Sequence, residues 1–134
     1  MDIALATNSD NPMLLFGDCE RFDDSSGYRV DIFVKSDGFS LETTFYFEEW
    51  PLTEFIRCLS EMESTLSGKA TLKPMWENDY VEFEMLSLGH VLVSGEFSRP
   101  SPFEQKLKFG FETDQTCLAP FKNELATLAR LKNA

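Results

Sequence analysis

Gly89-His90-Val91-Leu92-Val93-Ser94-Gly95, a connection through Arg99-Pro100-Ser101-Pro102, and then Leu107-Lys108-Phe109-Gly110-Phe111-Glu112-Thr113-Asp114-Gln115-Thr116 set out strand, turn, strand and helix start in order. Val91, Val93 and Phe97 alternate with Leu92, Ser94 and Glu96, and Leu107, Phe109 and Phe111 alternate with Lys106, Lys108 and Gly110. A period of two marks strands with one buried face. If residues 97 and 105 pair approximately, Glu96 falls opposite Lys106, a favourable cross-strand pair. Asp114 or Thr116 can cap the helix that follows, with Pro120 in its first turn. Leu118, Phe121, Leu125, Leu128 and Leu131 then form one apolar stripe on a helix predicted over 117–131. Isolated Gly89, Gly95 and Gly110 fit strand bulges or close backbone approach.

Working outward, the same signals recur. Val81, Phe83 and Met85 alternate with Glu82 and Glu84, and Ala70–Leu72 reads as a short strand, with a loop at 74–79 between them. Leu52, Phe55, Ile56, Leu59, Met62 and Leu66 recur at helical spacing and predict a helix over 51–66, opened by Pro51 and stopped by Gly68. Asp37-Gly38 is a two-residue hairpin signal, because both residues tolerate positive φ. Placing this pair at the tip sets Ser36 opposite Phe39, Val34 opposite Leu41, Ile32 opposite Thr43, Val30 opposite Phe45 and Tyr28 opposite Phe47. Asp31, Phe33, Glu42, Thr44 and Tyr46 fall on the other face. Met13–Phe22 is a strand of poor period, Asp23-Asp24-Ser25-Ser26-Gly27 a turn, and the polar residues 1–12 a flexible N-terminus. The sum is an α+β fold, an antiparallel sheet of about six or seven strands with two amphipathic helices packed on it, forming one domain over 13–134.

The chain has 134 residues, 43% of them hydrophobic, with 13 phenylalanines. That suits one domain with a real core rather than a disordered chain. No apolar run approaches the roughly 20 residues of a membrane span. Residues 1–12 lack a signal peptide's basic start and apolar stretch, so a cytoplasmic location is expected. Net charge is −11. Residues 1–67 hold 14 acids against 4 bases, and residues 68–134 hold 9 against 8. An anionic first half argues against nucleic acid and anionic membrane as partners, since both need basic patches. It suits a basic protein partner, whose encounter it would speed, and it also serves solubility.

Catalytic chemistry is not visible. His90 is the only histidine, and at a Gly-His junction it reads as a turn or packing residue; catalysis would need a nucleophile or carboxylate in reach. Cys19, Cys58 and Cys117 form no metal-type pair and read as reduced thiols. Asp23/Asp24, Glu48/Glu49, Glu61/Glu63 and Glu82/Glu84 are paired carboxylates that fit a solvated face better than a metal or glycosidase site. Neither cofactor nor metal is expected. Tyr46, Trp50 and Trp76, near strand and loop boundaries, fit either the edge of a core or an interface.

The residues from Gly89-His90-Val91 through Thr116, with the helix 52–66 and Gly68-Lys69-Ala70 before them and the chain on to Leu125, resemble the WapI family of immunity proteins. The resemblance covers about three quarters of the chain and leaves residues 1–27 unmatched. It implies a cytoplasmic, non-enzymatic protein that neutralises a cognate toxin domain by binding it, with a nuclease as the expected target class. The partner would be a toxin with a basic surface. Glu42, Tyr46, Glu82, Glu84 and Glu96 are outward strand positions and the candidate contact face, with the helix face around Glu54 and Glu61 as a second. A small-molecule-binding or regulatory domain, with an apolar pocket between sheet and helices, is the alternative. An enzyme built around His90 is a third reading.

Overall fold

The structure, a computed structural model, describes residues 1–7 and 12–130. In chain order its elements are β1 (Ile3–Leu5), β2 (Met13–Arg21), β3 (Gly27–Ser36), β4 (Phe39–Glu48), α1 (Glu49–Thr65), β5 (Lys69–Leu72), β6 (Tyr80–Met85), β7 (His90–Arg99), β8 (Gln105–Asp114) and α2 (Leu118–Arg130). The α+β fold is as read from the sequence, but its eight strands divide into two antiparallel sheets of four. Their orders are β1-β2-β3-β4 and β5-β6-β7-β8. Each sheet is a simple meander followed by a helix.

Turn chemistry fixes the first sheet. Asp37 and Gly38 both take positive φ, 49° and 86°, as a type I′ turn requires. Every predicted pair of the hairpin is present, from Ser36 with Phe39 to Tyr28 with Phe47. The poor period of β2 also has a cause. Its register with β3 shifts between Gly17 and Glu20, at Asp18 with φ 47°. A bulge of this kind breaks the alternation that sequence reading relies on.

The two sheets close around aromatic rings. Phe45 of the first meets Phe97 of the second edge-on, with centroids 5.1 Å apart. The helices add rings of their own to this core. Phe121 of α2 stacks on Phe83 at 5.4 Å and meets Phe16 edge-on at 5.7 Å. Phe55 of α1 meets Phe83 edge-on at 5.6 Å. The buried helix stripes are Pro51, Leu52, Phe55, Leu59 and Met62 on α1, and Leu118, Phe121, Leu125 and Leu128 on α2.

Several details differ from the sequence reading. Within the expected flexible N-terminus, residues 3–5 form an edge strand with Ile3 and Leu5 buried; residues 8–11 lie outside the described residues. The alternation there is only three residues long, too short to stand out. Helix α1 begins at Glu49, and Leu66 does not join its buried stripe. Leu66 is the left-handed residue that ends the helix, φ 55°, and is exposed. A 3-10 turn, Gln115–Cys117, precedes α2, with the Asp114 side chain accepting from the Thr116 N–H at 2.9 Å; Leu131, placed in the stripe of α2, lies outside the described residues. The β7–β8 register is offset by two from that expected. Glu96 pairs with Lys108, yet the Lys106 ammonium reaches it diagonally at 3.5 Å. Gly95 is a close approach rather than a bulge, since a Cβ there would meet the Tyr80 carbonyl at 2.4 Å and the Phe109 ring at 2.7 Å.

Two outcomes follow for stability. Gly38→Val is expected to cost about 1 kcal/mol or more, because a β-branched residue resists positive φ, although nothing lies near its Cβ; an unchanged Tm would overturn the turn assignment. Leu59→Ala and Phe121→Ala are each expected to cost about 2–5 kcal/mol in urea unfolding, by loss of burial and creation of a cavity.

Candidate functional site

The edge strand of the first sheet, β4, runs against the end of the β7–β8 hairpin, and Arg99 joins the two. One guanidinium nitrogen of Arg99 donates to Asp79 at 2.8 Å and to the Ser98 carbonyl at 2.6 Å. Another donates to the Thr43 hydroxyl at 2.6 Å and the Thr44 carbonyl at 2.7 Å. Asp79 also accepts from the Ser98 N–H at 3.0 Å. A planar fork of five donors suits this task as a lysine ammonium would not. The clasp draws on both sheets and on the β5–β6 loop.

Three open depressions surround the clasp. One, of about 310 Å³, includes Glu42, Thr43, Arg99 and Lys106 in its walls. A second, of about 540 Å³, includes Asp79, Glu82, Glu96 and Lys106. The third, of about 290 Å³, includes Tyr46, Glu77, Asp79 and Arg99. Through the shared Asp79, Arg99 and Lys106, the seam brings Glu42 and Tyr46 of the first sheet beside Glu82 and Glu96 of the second. Glu84 lies one step farther along the outer face of β6, where its register partners are Lys69 and Leu92.

The five predicted residues are not equivalent. Glu82 accepts from the Thr71 hydroxyl at 2.9 Å and lies 4.0 Å from the Lys69 ammonium, and Glu96 faces Lys106. Glu42 is exposed with no ion-pair partner among the described residues. Tyr46 is 53% exposed, Trp50 65% and Trp76 85%, so none of the three packs in the core. On the helix face, Arg57 binds Glu54 at 2.8 Å and Glu61 at 2.6 Å. The Arg57 hydrogen bonds hold the Glu54 carboxyl below its ordinary value. That face therefore neutralises much of its own charge, whereas the seam keeps Glu42 and Glu77 open. Sequence reasoning missed Arg99 and Asp79, because their meeting is a matter of tertiary structure, whereas the contact of Lys106 with Glu96 was expected from strand pairing.

The other candidate chemistries are placed as follows. His90 is exposed at the head of β7 and pairs in register with Asp114. Burial pushes the Cys19 thiol up to about 11, which leaves it a protonated, poor nucleophile at neutral pH. The layer between sheets and helices, where an apolar ligand would sit, is occupied by the packed rings of Phe16, Phe55, Phe83 and Phe121.

The family model of WapI-like immunity proteins matches residues 8–131. The chain belongs to this WapI-like family. The match takes in β2 and the turn before β3, which the resemblance seen in the sequence had left out. No curated protein and no solved structure matches the chain. Within this WapI-like domain, Arg99→Ala is expected to cost about 1–3 kcal/mol, since it leaves Asp79 without its charged partner at the seam. Urea unfolding measures the loss, and a change within about 0.5 kcal/mol, the range of neutral surface substitutions, would mean that the clasp holds nothing.

Proposed function

We propose that this WapI-like protein neutralises a cognate toxin domain by binding it over the acidic seam and covering its active surface. Membership of an immunity family across nearly the whole chain is the observation that carries the reading. Charge supports it. The first sheet and α1 lie within residues 1–67, where 14 acids face 4 bases, and such a field attracts a basic partner. A nuclease is the target class that fits best, because active sites for nucleic acid are basic and carboxylates offer what phosphates offer. Blockade needs no cofactor and no turnover. It belongs in the cytoplasm, where the toxin would act, and among the described residues no helix is long and apolar enough to cross a membrane. Glu42, Tyr46, Glu82, Glu84 and Glu96 are the proposed contact residues.

The reading is tested by recovering a toxin domain with this protein by pull-down from its source cell, producing that domain with and without this protein, and scoring cell survival. The wild type and His90→Ala are both expected to protect. Loss of protection in a folded His90→Ala variant would favour the enzymatic reading, and a co-purifying small molecule without a protein partner would favour a ligand-binding domain. Association with the toxin is expected to quicken at low salt, as the Debye length grows from about 8 Å to about 30 Å between 0.15 M and 0.01 M. Reversing Glu82 and Glu84 together to Lys is expected to slow association and flatten that salt dependence, because rim charges act chiefly on the on-rate. Stopped-flow kinetics with an unchanged rate and slope would remove β6 from the contact face.

A further inference from the structure

We propose that the cleft between the Phe22–Tyr46 stack and the Trp76 loop is the energetic centre of the interface, and that it receives an arginine or lysine side chain of the toxin. This rests on the toxin-binding reading. Phe22 and Tyr46 lie face to face with centroids 6.3 Å apart and planes 21° apart. With Pro74, Trp76, Glu48 and Glu77 they line an open cleft of about 320 Å³.

The Trp76 loop is held at both ends while its tip stays open. The Met75 N–H donates to Glu48 at 3.0 Å. Asp79 is fixed by the Ser98 N–H and by Arg99. Trp76 between these anchors remains 85% exposed, and Met75 beside it 55%. A large indole on a tethered loop loses little freedom when a partner covers it, and Trp and Tyr dominate the hot spots of protein interfaces.

Charge selects the occupant. Among the described residues, the charged ones lining the cleft are Glu48 and Glu77, and no lysine or arginine lines it. Glu77 has no ion pair among the described residues, and the adjoining turn carries Asp23 and Asp24. Ring faces attract a cation through their quadrupole, and the carboxylates supply charge-assisted hydrogen bonds. An apolar side chain would desolvate the carboxylates without pairing them, and an anion would be repelled. A cationic side chain uses both the rings and the acids.

The test measures binding of the inactivated toxin domain recovered by that pull-down to Trp76→Ala, Tyr46→Ala and Glu77→Gln. Leu88→Ala is the control, an exposed apolar residue at the opposite end of β7. The two aromatic variants are expected to bind about 10- to 100-fold more weakly, through faster dissociation, with wild-type Tm; Leu88→Ala is expected to bind as wild type. Glu77→Gln is expected to weaken binding several-fold, and less so at high salt. Should Tyr46→Ala lower the Tm, Trp76→Ala, which removes little packing, decides alone. Alanine substitution of each arginine and lysine of the toxin is expected to reveal one whose loss has no further effect in the Trp76→Ala background. If folded cleft variants bind as the wild type does, the cleft is overturned while the immunity reading stands. If they bind weakly but no toxin cation couples to Trp76, the cationic occupant is overturned. If the wild type itself does not bind the toxin, the functional reading falls and the cleft falls with it.

Discussion

Phe121 of α2 bridges the two sheets. It touches Phe16 of the first sheet and Phe83 of the second. From Phe16 the contacts pass to Phe47, then to Tyr28 and Phe45. Phe45 reaches Phe97, Phe97 reaches Phe109, and Phe109 reaches Phe111. Phe83 reaches Phe55 on α1. Both sheets and both helices thus hang on one connected set of rings. Pairs of this kind add about 0.5–1.5 kcal/mol each beyond the area they bury. A domain carrying a net charge of −11 repels itself, and this aromatic core is what opposes the repulsion.

The core also decides what the surface can be. Nine of the 13 phenylalanines enter the ring network, and the outer strand faces carry mostly charged and polar residues, with Phe33 and Tyr46 among them. On the solvent side of the Phe45–Phe97 contact, Arg99 spans the two sheets through Thr43 and Thr44. The seam is therefore polar by construction. It collects carboxylates from both halves of the chain and ends, past Tyr46, in the aromatic cleft.

The hairpin was legible because two independent signals agreed, a turn that fixes geometry and an alternation that fixes the buried face. The helices were legible from spacing, but their ends were not. Leu66 continues the apolar pattern, and only its backbone conformation takes it out of the stripe. Alternation says which face of a strand is buried and not which sheet the strand joins, so the partition into two sheets was hidden. The β7–β8 register slipped for a related reason. Residues 100–104 are not a tight turn with a set geometry, so nothing local aligned Glu96 with Lys108. Of the candidate site, the outward acids could be read from alternation. Arg99 could not, because its partners Thr43 and Thr44 lie 56 and 55 positions away in sequence and no pattern marks it.

Each strand in either sheet pairs with its neighbour in sequence, and pairing of this local kind closes short loops and forms quickly. All four strands of the first sheet are complete by residue 48, so they can align while the chain is still being made. Closure is different. Beyond the Phe45–Phe97 contact, the ring that joins Phe16 to Phe83 arrives only at residue 121, on α2. Until then Phe16 and Phe83 lack their common neighbour, and a nascent or truncated chain shows apolar surface of the kind that chaperones and proteases act on. Burial of the core is therefore a test of whether α2 has been made and docked.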